Sequence, residues 1–475
     1  MPELLSALPR FAVPVVAVLL LYAVIWYATR ELPSLARALA RAAPPIVIAP
    51  GILFVSMVAS MHHEQPEAEP RTVPKKMKTA AKPDPVAAPP PAAAKSAASA
   101  KASAAPPPPR PADTGTTTKN GDVAGSPGAA APAKDDWDVV PVFYGTDRVR
   151  KDAAARIGYN SERARRLQLG RALVTVPAAH RVPAIERPFA VRVPYFQVTL
   201  WEQEEDPQRH FTVKELKALS HDQFLALVRE RVAASSAFKD QALVFVHGFN
   251  TGFDHALYRT AQIAYDLKFD GAAFLYSWPS GGGVAGYGYD RESATQAEPY
   301  LKEFLTLLVK QTGAKSVSVI AHSMGNLPLL NVLRDLGPAL PAGVRLNEVI
   351  LAAPDVDRDV FANLVANIRR YGRGITLYCS SNDRAMSASR RFAGGVPRAG
   401  DVPADGPVII AGIDTIDVTA TSTDLFALNH SVYAENSTLL NDIGLILQTG
   451  ERPPEKRIPI LQKVKTAKGE FWRYP

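Results

Sequence analysis

The chain has 475 residues, a formal net charge of +8, and 47% hydrophobic against 21% charged residues. That length allows a sizeable core and more than one segment. A single cysteine, Cys379, excludes an internal disulfide and any cysteine-based zinc site. The positive charge does not imply a nucleic-acid partner: much of it is scattered lysine (Lys75, Lys76, Lys78, Lys82, Lys95, Lys101), with no helix-turn-helix or RNA-binding pattern around it.

In chain order, the first feature is an uncharged run from Phe11 to Thr29. As a helix it would cover roughly 28 Å, close to the thickness of a bilayer's hydrocarbon core. Tyr22, Trp26 and Tyr27 cluster towards one end, as interfacial aromatics do. A cleaved signal peptide is the competing reading, but the run is long and its basic flank weak. A second apolar run, Ala42 to Met61, is interrupted by Pro44, Pro45, Pro50 and Gly51. Arg30, Arg37 and Arg41 lie between the two runs, and the positive-inside rule puts that loop in the cytoplasm. Two spans would place everything after Met61 outside the cytoplasm; one span would leave it inside. The Ala-Pro-Lys composition that follows cannot bury a core and is expected to be an extended spacer. The expected organisation is an anchor over 1–62, a disordered linker over 63–135, a globular domain over 136–450 and a basic tail over 451–475. The expected location is an inner membrane with the globular domain periplasmic; the cytoplasmic side is the alternative.

Folded character begins near Trp137. Val139–Tyr144, Ala172–Val176 and Tyr195–Leu200 read as strands, and Phe224–Val232 as a helix. The short apolar run Ala242–Val246 suits a strand buried on both faces. Alternation then becomes regular. Phe253, Leu257, Ala261 and Ala264 line a helix; Ala272–Tyr276 is a strand; Leu301, Phe304, Leu305 and Leu308 line a second helix, ended by Gly313. Val317–Ala321 is a strand, Leu329, Val332, Leu333 and Leu336 mark a helix, and Val349–Ala352 and Ile375–Tyr378 are strands. Ile413–Val418 closes the strands and Ser437–Leu447 the helices. Repeated strand–helix units predict a mostly parallel sheet with helices on both faces.

Within this pattern, Ala321-His322-Ser323-Met324-Gly325 sits between a predicted strand and a predicted helix. A nucleophile elbow needs that context. The sharp turn exposes the serine Oγ, small residues two before and two after avoid clashes, and the following helix N-terminus favours developing negative charge. Ala321 stands where glycine is common, and is still small. Serine needs a base, and such elbows are followed in chain order by an acid and then a histidine. Of nine histidines only His430 follows Ser323. Asp383, just beyond the strand ending at Tyr378, is the expected acid; Asp355 and Asp357, after the preceding strand, are the alternatives, and Asp414 and Asp417 read as structural. The oxyanion hole is expected from the amides of Met324 and Phe249, the latter in His247-Gly248-Phe249-Asn250. In that loop His247 reads as an architectural hydrogen-bonding residue rather than a second base. His247, Gly248, Asn250, Trp278 and Ser280 are candidates for the pocket. The glycine-rich stretch after Tyr276 is either a pocket wall or a plain structural loop, and fits no dinucleotide or phosphate-loop fingerprint. No metal or organic cofactor is implied.

Several of these pieces resemble a bacterial α/β-hydrolase family of unsettled function, with esterase- and lipase-like relatives. They are Val142-Phe143-Tyr144-Gly145-Thr146-Asp147-Arg148, Phe245-Val246-His247-Gly248-Phe249-Asn250, Tyr276-Ser277-Trp278-Pro279-Ser280, Ala321–Asn326, Ala353-Pro354-Asp355, Asn382-Asp383-Arg384-Ala385 and His430-Ser431. The resemblance runs from about Val139 to Gly450. It implies the α/β-hydrolase fold and a triad of Ser323, Asp383 and His430, and no particular substrate. The expectation is a membrane-tethered serine hydrolase acting on a small-molecule or lipid ester or thioester. Acyl transfer on the same triad, a peptide hydrolase and a non-catalytic envelope scaffold are the alternatives.

Overall fold

The computed structural model describes residues 136–153, 156–193, 198–281, 286–340, 344–382, 389, 394–421 and 437–475. The chain divides after Asn120 into two compact units, and every described residue belongs to the second. Both apolar runs, the Ala-Pro-Lys segment, Asp383 and His430 lie outside the described residues. Among the described residues no helix is long and apolar enough to cross a membrane.

The strands are β1 (Trp137–Asp152), β2 (Ile157–Pro177), β3 (Ala190–Val193), β4 (Val198–Glu202), β5 (Thr212–Leu219), β6 (Gln241–Val246), β7 (Ala272–Ser277), β8 (Ser316–His322), β9 (Arg345–Ala352), β10 (Gly372–Cys379), β11 (Asp414–Asp417), β12 (Gln462–Thr466) and β13 (Gly469–Arg473). The helices are α1 (His221–Ala234), α2 (Phe253–Asp266), α3 (Tyr287–Gln296), α4 (Glu298–Gln311), α5 (Asn326–Leu336), α6 (Arg358–Ile368), α7 (Ser437–Thr449) and α8 (Pro454–Arg457). Among the described residues, eleven strands form one sheet in the order β12-β13-β11-β10-β9-β8-β6-β7-β1-β2-β5, and β3 pairs with β4 apart from it. From β13 to β1 every neighbouring pair is parallel, and β12, β2 and β5 add antiparallel edges.

The apolar runs become the central strands because they are covered on both sides. In β6, Ala242, Val244 and Val246 join one core while Leu243 and Phe245 join the other. The first core takes Phe224 and Val228 of α1, Phe304 of α4, Leu329 of α5 and Phe361 of α6. The second takes Leu257 and Ala261 of α2, and Ile443 of α7. Local signals fix the helix starts. In α1 the Gln223 amide donates to the Ser220 hydroxyl (3.3 Å) and the Gln223 side chain accepts from the Ser220 amide (3.0 Å), a reciprocal capping box.

Two expectations need correction. The residues after Glu451 are part of the sheet rather than a tail: β13 pairs in parallel with β11, Trp472 opposite Ile416. Phe471, Trp472 and Tyr474 are buried, and Arg452 pairs with Glu348 and Asp414 inside the domain. Lys463, Lys465 and Lys468 gave the segment a tail's composition because β12 is exposed along nearly its whole length and β13 buries only Phe471 and Trp472. β2 is also far longer than Ala172–Val176. Its first half is charged and pairs with the end of β1 as a two-stranded arm, Arg148 opposite Arg163. Polar ties anchor this arm: Arg163 donates to the Ser293 hydroxyl (2.8 Å) and Tyr289 to the Ser161 carbonyl (2.8 Å). Such an arm carries no apolar period to read.

Asp414 and Asp417 are structural as expected, each paired with an arginine, Arg452 and Arg473 respectively. Cys379 is buried, and burial pushes its thiol well up.

Candidate active site

β8 ends at His322 and a single 3-10 turn, Ser323–Gly325, leads into α5. Ser323 has φ +50°, in the left-handed region that costs a non-glycine residue of order 1–3 kcal/mol. Asn250 (φ +55°) and Ala353 (φ +42°) share this strain at the same edge of the sheet, beyond β6 and β9, the two strands that flank β8. The turn demands small residues. A Cβ on Gly325 would lie 2.3 Å from the His247 carbonyl oxygen, and one on Gly248 would lie 2.9 Å from the Ser323 Cβ. The loop after β6 therefore lies directly on the elbow. Ser323 is half-buried, and Met324 behind it is buried. The Asn326 side-chain amide donates to the Ser323 carbonyl (2.9 Å), and the Asp355 amide donates to the same carbonyl (3.1 Å). Both hold the elbow from below. Neither role was legible in the sequence, where Asn326 was only part of a motif.

The loop over Ser323 is held by two buried charges. Arg148, at 1% exposure, uses all five of its donors. Its Nε donates to the Ser277 hydroxyl (2.9 Å). Nη1 donates to the carbonyls of Asn160 (3.2 Å) and Ser280 (3.3 Å), and Nη2 to the Thr251 carbonyl (2.7 Å) and His247 Nε2 (3.3 Å). Asp290 accepts from the Asn250 amide (3.1 Å), the Ser280 hydroxyl (2.5 Å) and the Gly281 amide (2.5 Å). The Ser280 hydroxyl in turn accepts from the Thr251 amide (3.0 Å). The amides of Asn250 and Thr251 are thus committed to the scaffold, while Phe249, expected as an oxyanion donor, is half-buried beside the elbow.

His247 is part of this scaffold. Its Nδ1 carries the proton, because it lies 2.8 Å from the Gly248 carbonyl, which only accepts. Nε2 then accepts from Arg148. Burial, then the Arg148 charge, holds its pKa well below the usual histidine value, and the neutral ring stacks on Trp278 at 4.9 Å. Its second nitrogen is already engaged, so the architectural reading of His247 fits and a second-base role does not. Trp278 and Ser280, candidates for the pocket, are buried with their polar atoms turned inward: Trp278 Nε1 donates to the His247 carbonyl (2.8 Å). Asn250 is exposed and Gly248 is buried against the elbow.

The alternative acids both have other partners. Asp357 caps α6, accepting from the amides of Asp359 (2.9 Å) and Val360 (3.1 Å). Asp355 is buried, with Oδ1 facing Arg398 Nε (3.2 Å) and accepting from the Ser389 hydroxyl, and Oδ2 accepting from the Tyr287 hydroxyl (3.0 Å). Ser380, Ser381 and Asn382 continue from the end of β10, two strands from β8, up to the position before Asp383. Among the described residues no cluster of histidine, cysteine or carboxylate side chains could hold a metal ion.

Beside Arg148, burial pushes the Asp147 carboxyl up to about 7 although Tyr276 donates to it (3.0 Å). An unfolded aspartate titrates near ~3.9, so between about pH 4 and 7 the folded chain keeps a proton that the unfolded chain loses. Stability should therefore fall as pH rises through that window, by up to ~1.4 kcal/mol per pH unit from this one group. Asp147→Asn should flatten the fall. Urea midpoints at pH 5 and 7.5 measure it, and an unchanged slope in the variant would refute the assignment.

Residues 222–448 match a family model described as an alpha/beta hydrolase of unknown function (DUF900). No curated protein matches the sequence. Solved structures that resemble the chain include a predicted CIB-like hydrolase from Thermoplasma acidophilum (15% identity, TM-score 0.26, 44% of this chain and 86% of the other). Others are an esterase from Pyrobaculum calidifontis (10%, 0.24, 44% and 76%) and the esterase LipW from Mycobacterium marinum (10%, 0.28, 67% and 83%). At these scores the likenesses carry no argument about chemistry.

Proposed function

From the match of residues 222–448 to that family of α/β hydrolases, we propose that the protein is a serine hydrolase cleaving carboxylic esters or thioesters. Ser323 Oγ attacks the substrate carbonyl carbon while His430 takes the hydroxyl proton, and the amides of Met324 and Phe249 receive the negative charge on the carbonyl oxygen. His430 passes its proton to the departing alcohol or thiol, which leaves an acyl group on Ser323. Water, deprotonated by the same imidazole, then releases the acid. Asp383 orients the imidazole and stabilises its charged form. The apolar runs Phe11–Thr29 and Ala42–Met61 tether the domain to a membrane through the 63–135 linker, on the extracytoplasmic side. Active cytoplasmic reporter fused after Met61 would reject that topology.

The observation that supports the reading best is the strained, half-exposed Ser323 at the end of β8, held under a loop that Arg148 and Asp290 fix in place. A side chain is kept in costly backbone geometry only where the surroundings over-determine it, and such positions cluster at active sites. Asp383 is preferred to Asp355 and Asp357 because both alternatives are engaged elsewhere.

The test is labelling of the full-length chain, in detergent, by a fluorophosphonate. Wild type should be modified at Ser323, with labelling lost in Ser323→Ala and in His430→Ala. Equal reactivity of wild type and Ser323→Ala would dispose of the proposal and favour a non-catalytic scaffold.

A further inference from the structure

We propose that Tyr287 sets the width of the cleft at Ser323 and so selects the acyl group; the inference rests on the serine-hydrolase reading above. In the sheet β8 lies between β6 and β9, so the C-terminal ends of these three strands bring Phe249, Ser323 and Asp355 side by side. Tyr287 reaches across this row. Its ring meets the Phe249 ring edge-on, with centroids 5.5 Å apart. Its hydroxyl donates to Asp355 Oδ2 at 3.0 Å. Asp355, in turn, donates its amide to the Ser323 carbonyl. The helix that begins with Tyr287 packs against the turn Ser323–Gly325.

The far end of the tyrosine is moored rather than loose. Arg398 Nη2 donates to the Tyr287 oxygen at 3.4 Å, Arg398 Nε faces Asp355 Oδ1 at 3.2 Å, and the Ser389 hydroxyl donates to that same Oδ1. Arg398, Asp355 and Ser389 are all buried, whereas Tyr287 is only half-buried. A buried ion pair and the Ser389 hydroxyl, 3.0 Å from the Tyr287 oxygen, thus hold a partly exposed aromatic ring at one place over the nucleophile's strand. Buried partners restrict how far such a ring can swing, because each alternative position leaves a polar group unpaired. The ring therefore acts as a fixed wall rather than an adaptable one. An acyl chain bound to Ser323 has to pass it.

The experiment compares full-length wild type with Tyr287→Ala, Tyr287→Phe and Tyr287→Trp, using p-nitrophenyl esters from acetate to decanoate. The readout is the ratio of kcat/KM for decanoate to that for acetate, beside the fluorophosphonate labelling rate. Tyr287→Ala should raise the ratio roughly tenfold or more and Tyr287→Trp should lower it, because ring volume meets the substrate; Tyr287→Phe, which keeps the ring but loses its moorings to Asp355, Ser389 and Arg398, should raise the ratio by less than Tyr287→Ala. A merely structural tyrosine would change Tm and overall rate but not the ratio. Variants that label normally yet keep the wild-type ratio would overturn this inference and leave the serine hydrolase standing. A wild type that no probe labels at Ser323 would overturn both. Should Tyr287→Ala fail to fold, the Tyr287→Trp ratio decides alone, an unchanged or raised value going against the proposal.

Discussion

Ser323→Ala is expected to lower ester turnover by about 10⁴–10⁶, leaving only what the oxyanion donors and binding provide. Its fold should survive, because Ser323 is half-exposed and the strained backbone is held by Asn326, Asp355 and the β6 loop rather than by the hydroxyl. The companion variants separate the acids. Asp383→Asn should cost about 10⁴ in kcat with little change in KM, since an asparagine orients the imidazole in the wrong tautomer. Asp355→Asn should act mainly on stability, because it leaves the buried Arg398 without its counter-charge. Steady-state kinetics and thermal melts on the same preparations decide between them. A larger kcat loss in Asp355→Asn than in Asp383→Asn would reverse the assignment and move the acid from the end of β10 to the end of β9.

Arg148→Ala is expected to be costly in stability and in rate together. It would take the arginine donors from the carbonyls of Thr251, Ser280 and Asn160, two of the three in a buried setting, and leave His247 Nε2 only the Ser277 hydroxyl (3.2 Å). Removing one member of such a network costs roughly 3–5 kcal/mol. The same loss frees the loop that carries Phe249. A misplaced oxyanion donor is worth about 10²–10³ in kcat. Arg148→Lys keeps the charge but not the planar set of five donors, so it should recover part of the stability and less of the rate. Burial lowers the Arg148 pKa to about 10, so the charge persists at neutral pH and the network should hold across the physiological range. Denaturant titration together with kcat for both variants is the measurement. Full activity in Arg148→Ala would show that the loop keeps its place without the arginine.

These two predictions draw on different levels of information. Ser323 is legible from the chain because the elbow is a local device: a buried strand, a small-x-Ser-x-Gly turn and an amphipathic helix follow one another within a few residues. The central strands were equally legible, since β6 and β7 are nearly continuous apolar runs and β8, β9 and β10 end in them, and two-sided burial leaves that mark in composition. The rule that acid and base follow the serine is a matter of chain order and singles out His430 among nine histidines.

The scaffold around the site was decided by tertiary structure. Arg148, the α3 pair Tyr287 and Asp290, and Arg398 come from three distant stretches of the chain, and each could have been a solvated surface residue on sequence grounds. They act as they do because the parallel sheet brings the ends of β1, β6, β7 and β9 to one edge, where a buried charge must find partners or not be buried at all. The same physics turned the expected basic tail into β12 and β13. Arg452 is paired with Glu348 and Asp414, and Trp472 is buried beside β11, neither of which any local period announces. By itself the sequence determined the order of the central strands β6 to β10 and singled out Ser323 as the candidate nucleophile, because those depend on periodicity and local turn geometry. Which charges hold the site in place was left to the tertiary structure, because long-range pairing of buried polar groups depends on where the sheet brings them together.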